Sequence, residues 1–278
     1  MGLGWPRPPK AGSPISLPSF WAVFNPPIYL VSILPGVGVW QLTQATGQDL
    51  FVLMVATFAV VLLQHAINLL NDVSDWRLGA DVDKAHTWVR FHRESLQIPA
   101  FHGYFSLALG ALLGLAVLLA TDRLWIMLPA VPLVLLGYLY NSGRRPLSYT
   151  HLGEWVTGLC YGPGVFGCLW LLATGSASLE ALFGSIAFFA LAVALLLSHQ
   201  PPQIATDRQA GKLSFAVRYG AQRTYAGARL LYLVFLLAFG LALNAGITAT
   251  GPFIAYIVLA AATGLMLLRQ QPSPRHIL

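Results

Sequence analysis

Apolar residues gather in long runs separated by short polar stretches, at about Phe20–Thr43, Phe51–Leu70, Phe101–Thr121, Leu124–Tyr140, Trp155–Ala173, Leu179–Ser198, Thr224–Ala245 and Pro252–Leu268. Each is close to the roughly 20 apolar residues that a helix needs to cross a hydrocarbon core of about 30 Å. The pattern predicts an all-α, polytopic transmembrane helix bundle of about eight spans. The first run is longer than the apolar region of a cleaved signal peptide and is expected to stay in the membrane. Residues 1–19, rich in Pro and Gly and carrying Arg7 and Lys10, are predicted to form a disordered cytoplasmic leader. Residues 20–270 read as one membrane domain, with no low-complexity stretch, sharp repeat or linker.

Composition agrees with the pattern and excludes a water-soluble fold. Of 278 residues 56% are hydrophobic and 9% charged, and the mean hydropathy is +0.67, so lipid is the solvent and no large soluble domain fits. The net charge of +6 would suggest nucleic acid in a soluble protein, but here the cations occupy short loops between apolar runs, where they set orientation. If the spans alternate, one side receives fifteen of the sixteen Lys and Arg residues and the other only Arg123. That asymmetry predicts an inner (cytoplasmic) membrane protein with both termini in the cytoplasm. Cys160 and Cys168 lie inside one apolar run without metal-site neighbours and read as small buried hydrophobes.

The ten acids are not scattered. Four fall within twelve residues, Asp72, Asp75, Asp81 and Asp83, in Asn68-Leu-Leu-Asn71-Asp72-Val-Ser-Asp75 and the segment that follows. If the second helix continues here, His65, Asn68, Asp72 and Asp75 recur at spacings of three, four and three, one helical face. Like charges at that spacing repel, and carboxylates near a bilayer are costly without a cation. A hard ion such as Mg²⁺, which shares oxygen ligands with phosphate, relieves both costs. A solvated helix end is the simpler alternative. A second polar cluster ends the sixth span, where Asp207 is surrounded by Arg208, Lys212 and Arg218, a pattern suited to an anion that carries metal. Ordinary loop charge is its alternative.

These residues resemble the UbiA-type intramembrane prenyltransferases. The first cluster is similar to that superfamily's Asn-Asp-x-x-Asp motif with a further Asp downstream. Asp207-Arg208-Gln-Ala-Gly211-Lys212 and Ala216-Val217-Arg218-Tyr-Gly220 resemble its second Asp-rich motif. Between them, Tyr140 to Arg144, then Pro146-Leu-Ser-Tyr149 and Gly153-Glu154, resemble the 1,4-dihydroxy-2-naphthoate polyprenyltransferase branch. The resemblance implies Mg²⁺-dependent transfer of a polyprenyl group from a polyprenyl diphosphate to an aromatic acceptor in quinone (menaquinone) biosynthesis. It implies Asp72, Asp75, Asp81 and Asp207 as metal ligands, and Asn68, Tyr140, Arg144, Tyr149, Lys212 and Arg218 on the substrate. Glu154 is a candidate to orient or deprotonate the acceptor. A diphosphate leaving group needs cations to take up its charge, and Arg suits it by donating two parallel hydrogen bonds. Tyr138, Tyr140, Tyr149, Trp155 and Tyr161 are candidate walls for the cavity that shields the allylic cation, or else interfacial anchors.

The chain departs from that pattern in three places. Gln203 stands where the second motif usually has its first Asp. Pro201 and Pro202 before it should end the sixth span near Gln200. Eight spans are expected where the superfamily usually has nine. Two other readings stay open: an intramembrane terpene cyclase or a prenyltransferase with another acceptor, and a transporter or catalytically silent binding protein. Against a transporter, the charges lie at helix ends rather than mid-membrane.

Overall fold

In lipid an isolated segment satisfies its own backbone only as a helix, and the computed structural model, which describes residues 17–80, 84–143, 146–246 and 250–278, follows that rule. It contains α1 (Phe20–Phe24), α2 (Leu30–Thr43), α3 (Gly47–Leu78), α4 (Trp88–Phe91), α5 (Gln97–Ala120), α6 (Met127–Asn141) and α7 (Gly153–Leu159). A π-helical turn over Cys160–Gly167 joins α7 to α8 (Cys168–Thr174). There follow α9 (Leu179–His199), α10 (Ile204–Gln209), α11 (Phe215–Tyr219), α12 (Ala221–Gly246), α13 (Thr250–Arg269) and α14 (Pro274–Ile277).

Among the described residues seven stretches are long and apolar enough to cross a membrane: Phe20–Thr43, Gly47–Leu78, Gln97–Ala120, Leu124–Asn141, Gly153–Thr174, Leu179–His199 and Ala221–Ala245. The eighth expected span corresponds to α13, whose described apolar stretch, Tyr256–Leu267, is shorter. Most of the expected leader lies outside the described residues.

The first apolar run is not one helix, as its composition suggested. Asn25 adopts a left-handed conformation (φ 47°), and Pro26-Pro27 supply no amide donors, so the chain turns through a 3₁₀ segment before α2 starts. At the sixth span the double proline acts as expected: α9 stops at His199, Pro201–Gln203 is 3₁₀, and α10 restarts at Ile204.

The centre of the bundle is α9, which packs along α12, α7 and the π-helical turn. Phe166 from that turn is fully buried and stacks on Phe188 of α9 at 5.1 Å. This contact requires glycine: a side chain on Gly184 would occupy the Phe166 ring, and one on Gly162 would meet the Ser185 carbonyl and Phe189. At one end of the bundle Arg229 donates to the carbonyls of Leu267 (2.9 Å) and Gln270 (3.0 Å), tying α12 to the carbonyl end of α13.

With 32 residues, α3 is about 48 Å long at 1.5 Å per residue, well over the apolar thickness of a bilayer. It therefore carries the Asn68–Asp75 stripe to the polar boundary. Gly79 (φ 83°) ends it there in a left-handed turn, with the amides of Gly79 and Ala80 returning to the Trp76 and Asp75 carbonyls.

Candidate active site

A cavity of about 1460 Å³ runs through the bundle beside α3, larger than the several hundred Å³ typical of a small-ligand pocket. Its lining includes both Asp75 and Ala56 of α3. These residues are nineteen positions apart on one continuous helix, so the cavity extends about 28 Å along it. One end is polar, lined by Asn68, Asn71, Asp72, Asp75, Lys84, His86, Gln203, Asp207 and Lys212. The remainder is apolar, walled by α2, α3, α5, α6, the π-helical turn and part of α9.

At the polar end, Asp75 is 3% exposed and so belongs to the interior rather than to a wet helix end. The Tyr149 hydroxyl donates to its Oδ1 at 2.9 Å, while Asn71 Nδ2 (3.0 Å) and Lys212 Nζ (3.3 Å) donate to Oδ2. Lys212 also lies 5.1 Å from the centre of the Tyr149 ring, and the Tyr149 carbonyl accepts the Leu213 amide at 3.1 Å. Tyr149 therefore joins all three motifs through one side chain and one carbonyl. Asp72, one turn earlier, accepts the Trp88 amide at 2.7 Å, which places α4 against the first motif. The second motif supplies Asp207, also buried, whose Oδ2 accepts the Ser214 hydroxyl at 2.8 Å.

The structure separates residues that the motif pattern grouped. Tyr140 and Tyr161 line the cavity. Tyr149 is buried but acts on Asp75, Trp155 on α7 is 57% exposed on the outer surface, and Tyr138 lies beside the half-exposed Tyr104. Arg218 does not line the cavity. It pairs with Glu154 at 3.4 Å and packs on the rings of Phe215 and Tyr219. Glu154 lines the cavity and is 4% exposed, with Oε1 accepting Gln200 Nε2 at 2.9 Å and the Phe215 amide at 2.6 Å. Its oxygens thus fasten the start of α7 to the end of α9 and to α11. Asp81 and Arg144 lie outside the described residues.

Two features escaped the sequence reading. Lys84 lines the polar end, its carbonyl held at 3.1 Å by Nε of the buried Arg90, which stacks on Trp76. Trp88 sits in a box of aromatic and imidazole rings with Phe20, Phe91, His65, His92 and His102. Burial, and then the nearby His102, hold the His92 imidazole below its ordinary pKa. Neither feature has a local sequence signature, because each is made by segments that meet only in the fold.

Whether this end suits a divalent cation can be judged from its donors. Among the described residues no group of three or more His, Cys, Asp and Glu side chains is arranged to hold a metal ion. The donors are hard oxygens, Asp72 and Asp75 on α3 and Asp207 on α10, and Lys84 and Lys212 line the same end. That set fits Mg²⁺ as it is bound with phosphates, through one or two carboxylates and the oxygens of the ligand, rather than in an all-protein cage.

The profile of the UbiA prenyltransferase family matches residues 29–276. The chain is 31% identical over 208 residues to a 2-carboxy-1,4-naphthoquinone phytyltransferase of Synechocystis, covering 72% of this chain and 66% of that protein. It is 27% identical over 181 residues to a 1,4-dihydroxy-2-naphthoate octaprenyltransferase of Bacillus subtilis, covering 62% and 56% respectively. It is 31% identical over 201 residues to a protein of the same description from Mycobacterium tuberculosis, covering 71% and 65%. These matches span just under two thirds of the relatives' own lengths at most. No solved structure matches the chain.

Proposed function

The chain belongs to the UbiA prenyltransferase family, and from that premise we propose that it transfers a polyprenyl group from a prenyl diphosphate to an aromatic acceptor of the 1,4-dihydroxy-2-naphthoate class, in quinone biosynthesis. The observation that carries this reading is a cavity with two chemistries along its length of about 28 Å, carboxylates and cations at one end and apolar walls over the remainder. An amphiphile with a diphosphate head and a long hydrocarbon tail matches both. The relatives' descriptions supply the acceptor class.

On this reading Asp72, Asp75 and Asp207 hold Mg²⁺ together with the diphosphate, with Asp81 in support. Lys84 and Lys212 contact the phosphate oxygens, and Asn68 and Tyr140 flank the first prenyl unit. Arg144 is assigned to the diphosphate on its place in the motif. Bound there, the metal supplies positive charge to the departing diphosphate. Lys212 is positioned to move from Asp75 to a phosphate oxygen when the carboxylate is needed elsewhere. Glu154 and Arg218 form a positioning pair: by fastening α11 to α7 and α9, Glu154 sets the segment between α9 and α11 that carries Asp207 on α10 and Lys212 after it. The allylic cation left behind is shielded from water by the apolar walls, with the Tyr140 and Tyr161 rings able to face it. The polar end is assigned to the cytoplasm, where fifteen of sixteen Lys and Arg residues fall.

The test is incubation of the purified protein with labelled prenyl diphosphates, a panel of aromatic acceptors and Mg²⁺, with product identification. A prenylated naphthoquinol is expected. Consumption of the donor without an aromatic product would replace the proposal with a cyclase or hydrolase, and no consumption would leave a binding protein.

A further inference from the structure

Starting at the cavity wall, three side chains the reaction has not yet used form a continuous hydrogen-bonded row. Tyr29, 5% exposed, lines the cavity where the 3₁₀ segment meets α3. Asn68, which also lines the cavity, lies near its hydroxyl. On the far side that hydroxyl lies 2.6 Å from Nδ1 of the buried His65. Nε2 of His65 lies 3.3 Å from Nε2 of His102, which is half-buried near the start of α5.

The row is held firmly. Gln64 Nε2 donates to the Ile28 carbonyl at 2.9 Å, fixing the segment that carries Tyr29 against α3. The Trp88 ring stands edge-to-face on both imidazoles, with centroids 5.5 Å from His65 and 5.8 Å from His102. The same residue's amide holds Asp72, so one tryptophan places the metal-binding wall and the row behind it. Among the described residues neither imidazole has a carboxylate partner, and His92 is a further titratable ring close by, stacked on Trp88. Two uncharged imidazoles can share a single proton between their Nε2 atoms. If His65 donates to His102, its Nδ1 is bare and accepts from Tyr29, and every bond in the row then points from the cavity outward.

We infer that Tyr29, His65 and His102 form a proton relay that serves the hydroxyl of the aromatic acceptor during prenyl transfer. The inference rests on the proposed reaction. As a ring carbon bonds to the allylic carbon, the ring gains positive charge, and loss of the proton on its hydroxyl oxygen makes it a neutral ketone. That proton passes to Tyr29 Oη as the Tyr29 proton passes to His65 Nδ1. The His65 Nε2 proton moves to His102 Nε2, and His102 releases one proton from Nδ1 to interfacial water. The ketone becomes aromatic again by losing the substituent of the attacked carbon. If that substituent is a proton, one proton is released overall. If it is a carboxylate, it leaves as carbon dioxide, and the relay runs backward to return the proton to oxygen. Tyr29 is the catalytic member, and the two histidines act through it.

The experiment compares wild type with Tyr29→Phe and His102→Gln, using naphthol acceptors graded in hydroxyl acidity and one prenyl diphosphate donor. Binding of the labelled donor with Mg²⁺ is measured in parallel. General acid–base groups contribute about 10²–10⁴-fold, so Tyr29→Phe is expected to lower kcat by about a hundredfold or more with the least acidic acceptor. The deficit should shrink steadily as the hydroxyl becomes more acidic, while donor binding stays at the wild-type value. His102→Gln should show the same trend with a smaller deficit. A deficit equal for every acceptor, or no deficit, would overturn the relay and leave the row as packing. Wild-type protein that forms no aromatic product would instead overturn the proposed reaction, and the relay with it.

Discussion

Replacing Asp75 with Ala should weaken the fold more than Asp72→Ala does, although both should abolish activity. Asp75 is the acceptor for three groups, Tyr149, Asn71 and Lys212. Side-chain exposure is 4% for Asp75 and 17% for Lys212. Removing one partner of such a buried pair leaves a cation without compensation, a loss of about 3–5 kcal/mol. Asp72 is less enclosed, and its backbone contact from Trp88 is of the charge-assisted kind, about 1.5–3 kcal/mol. The difference should appear in thermal unfolding of the detergent-solubilised protein, with Asp75→Ala melting lowest of the set. The double variant Asp75→Asn with Lys212→Met removes both charges and keeps polar shape at position 75, so its melting temperature should lie above that of Asp75→Ala. Prenyl transfer should remain abolished in all three. If Asp75→Ala melts with Asp72→Ala, or the double variant melts below the single one, the Asp75–Lys212 contact is not a buried pair and the account of the site fails.

Gln203 lines the polar end beside Asp207, and Gln203→Asp should lower the Mg²⁺ concentration for half-maximal activity, with about 1–3 kcal/mol gained from a charged ligand; an unchanged titration midpoint removes residue 203 from the metal shell. A reporter fused after Leu278 should be active only in the cytoplasm, and periplasmic activity would refute the assigned orientation. His92 is held below its ordinary pKa, so the unfolded chain binds its proton first and stability should fall as pH drops below about 6.5. His92→Gln should flatten that fall, and an identical pH profile of melting temperature would show that His92 takes no part in it.

Much of the fold was legible because lipid imposes one solution on an apolar run. Span positions could be read from composition, and the stop at Pro201-Pro202 from two missing amides. The break after Phe24 was marked equally well by Asn25-Pro26-Pro27, but the surrounding hydropathy concealed it. The π-helical turn at Cys160–Gly167 could not be read. Gly162 within it makes room for Phe189 and the Ser185 carbonyl of a helix that comes later in the chain, and no local pattern encodes that contact.

Motif spacing located the site residues along the chain but not the direction in which each side chain points. Asp72 and Asp75 differ by three residues on one helix, yet one faces the Trp88 amide and the other the Tyr149 hydroxyl and Lys212. Arg218 carries the charge that a diphosphate needs, yet Glu154 is closer, and a buried carboxylate is costly without such a partner. Among the described residues the cations that do reach the polar end, Lys84 and Lys212, flank the two acidic motifs from loops. Buried acids and phosphate oxygens compete for the same few cations, and in this chain Glu154 has taken Arg218 while Lys212 is shared. On the proposed reading, Lys212 is therefore a cation whose partner must change when an anionic head enters the cavity, which makes the Asp75–Lys212 contact a point where stability and substrate binding would meet.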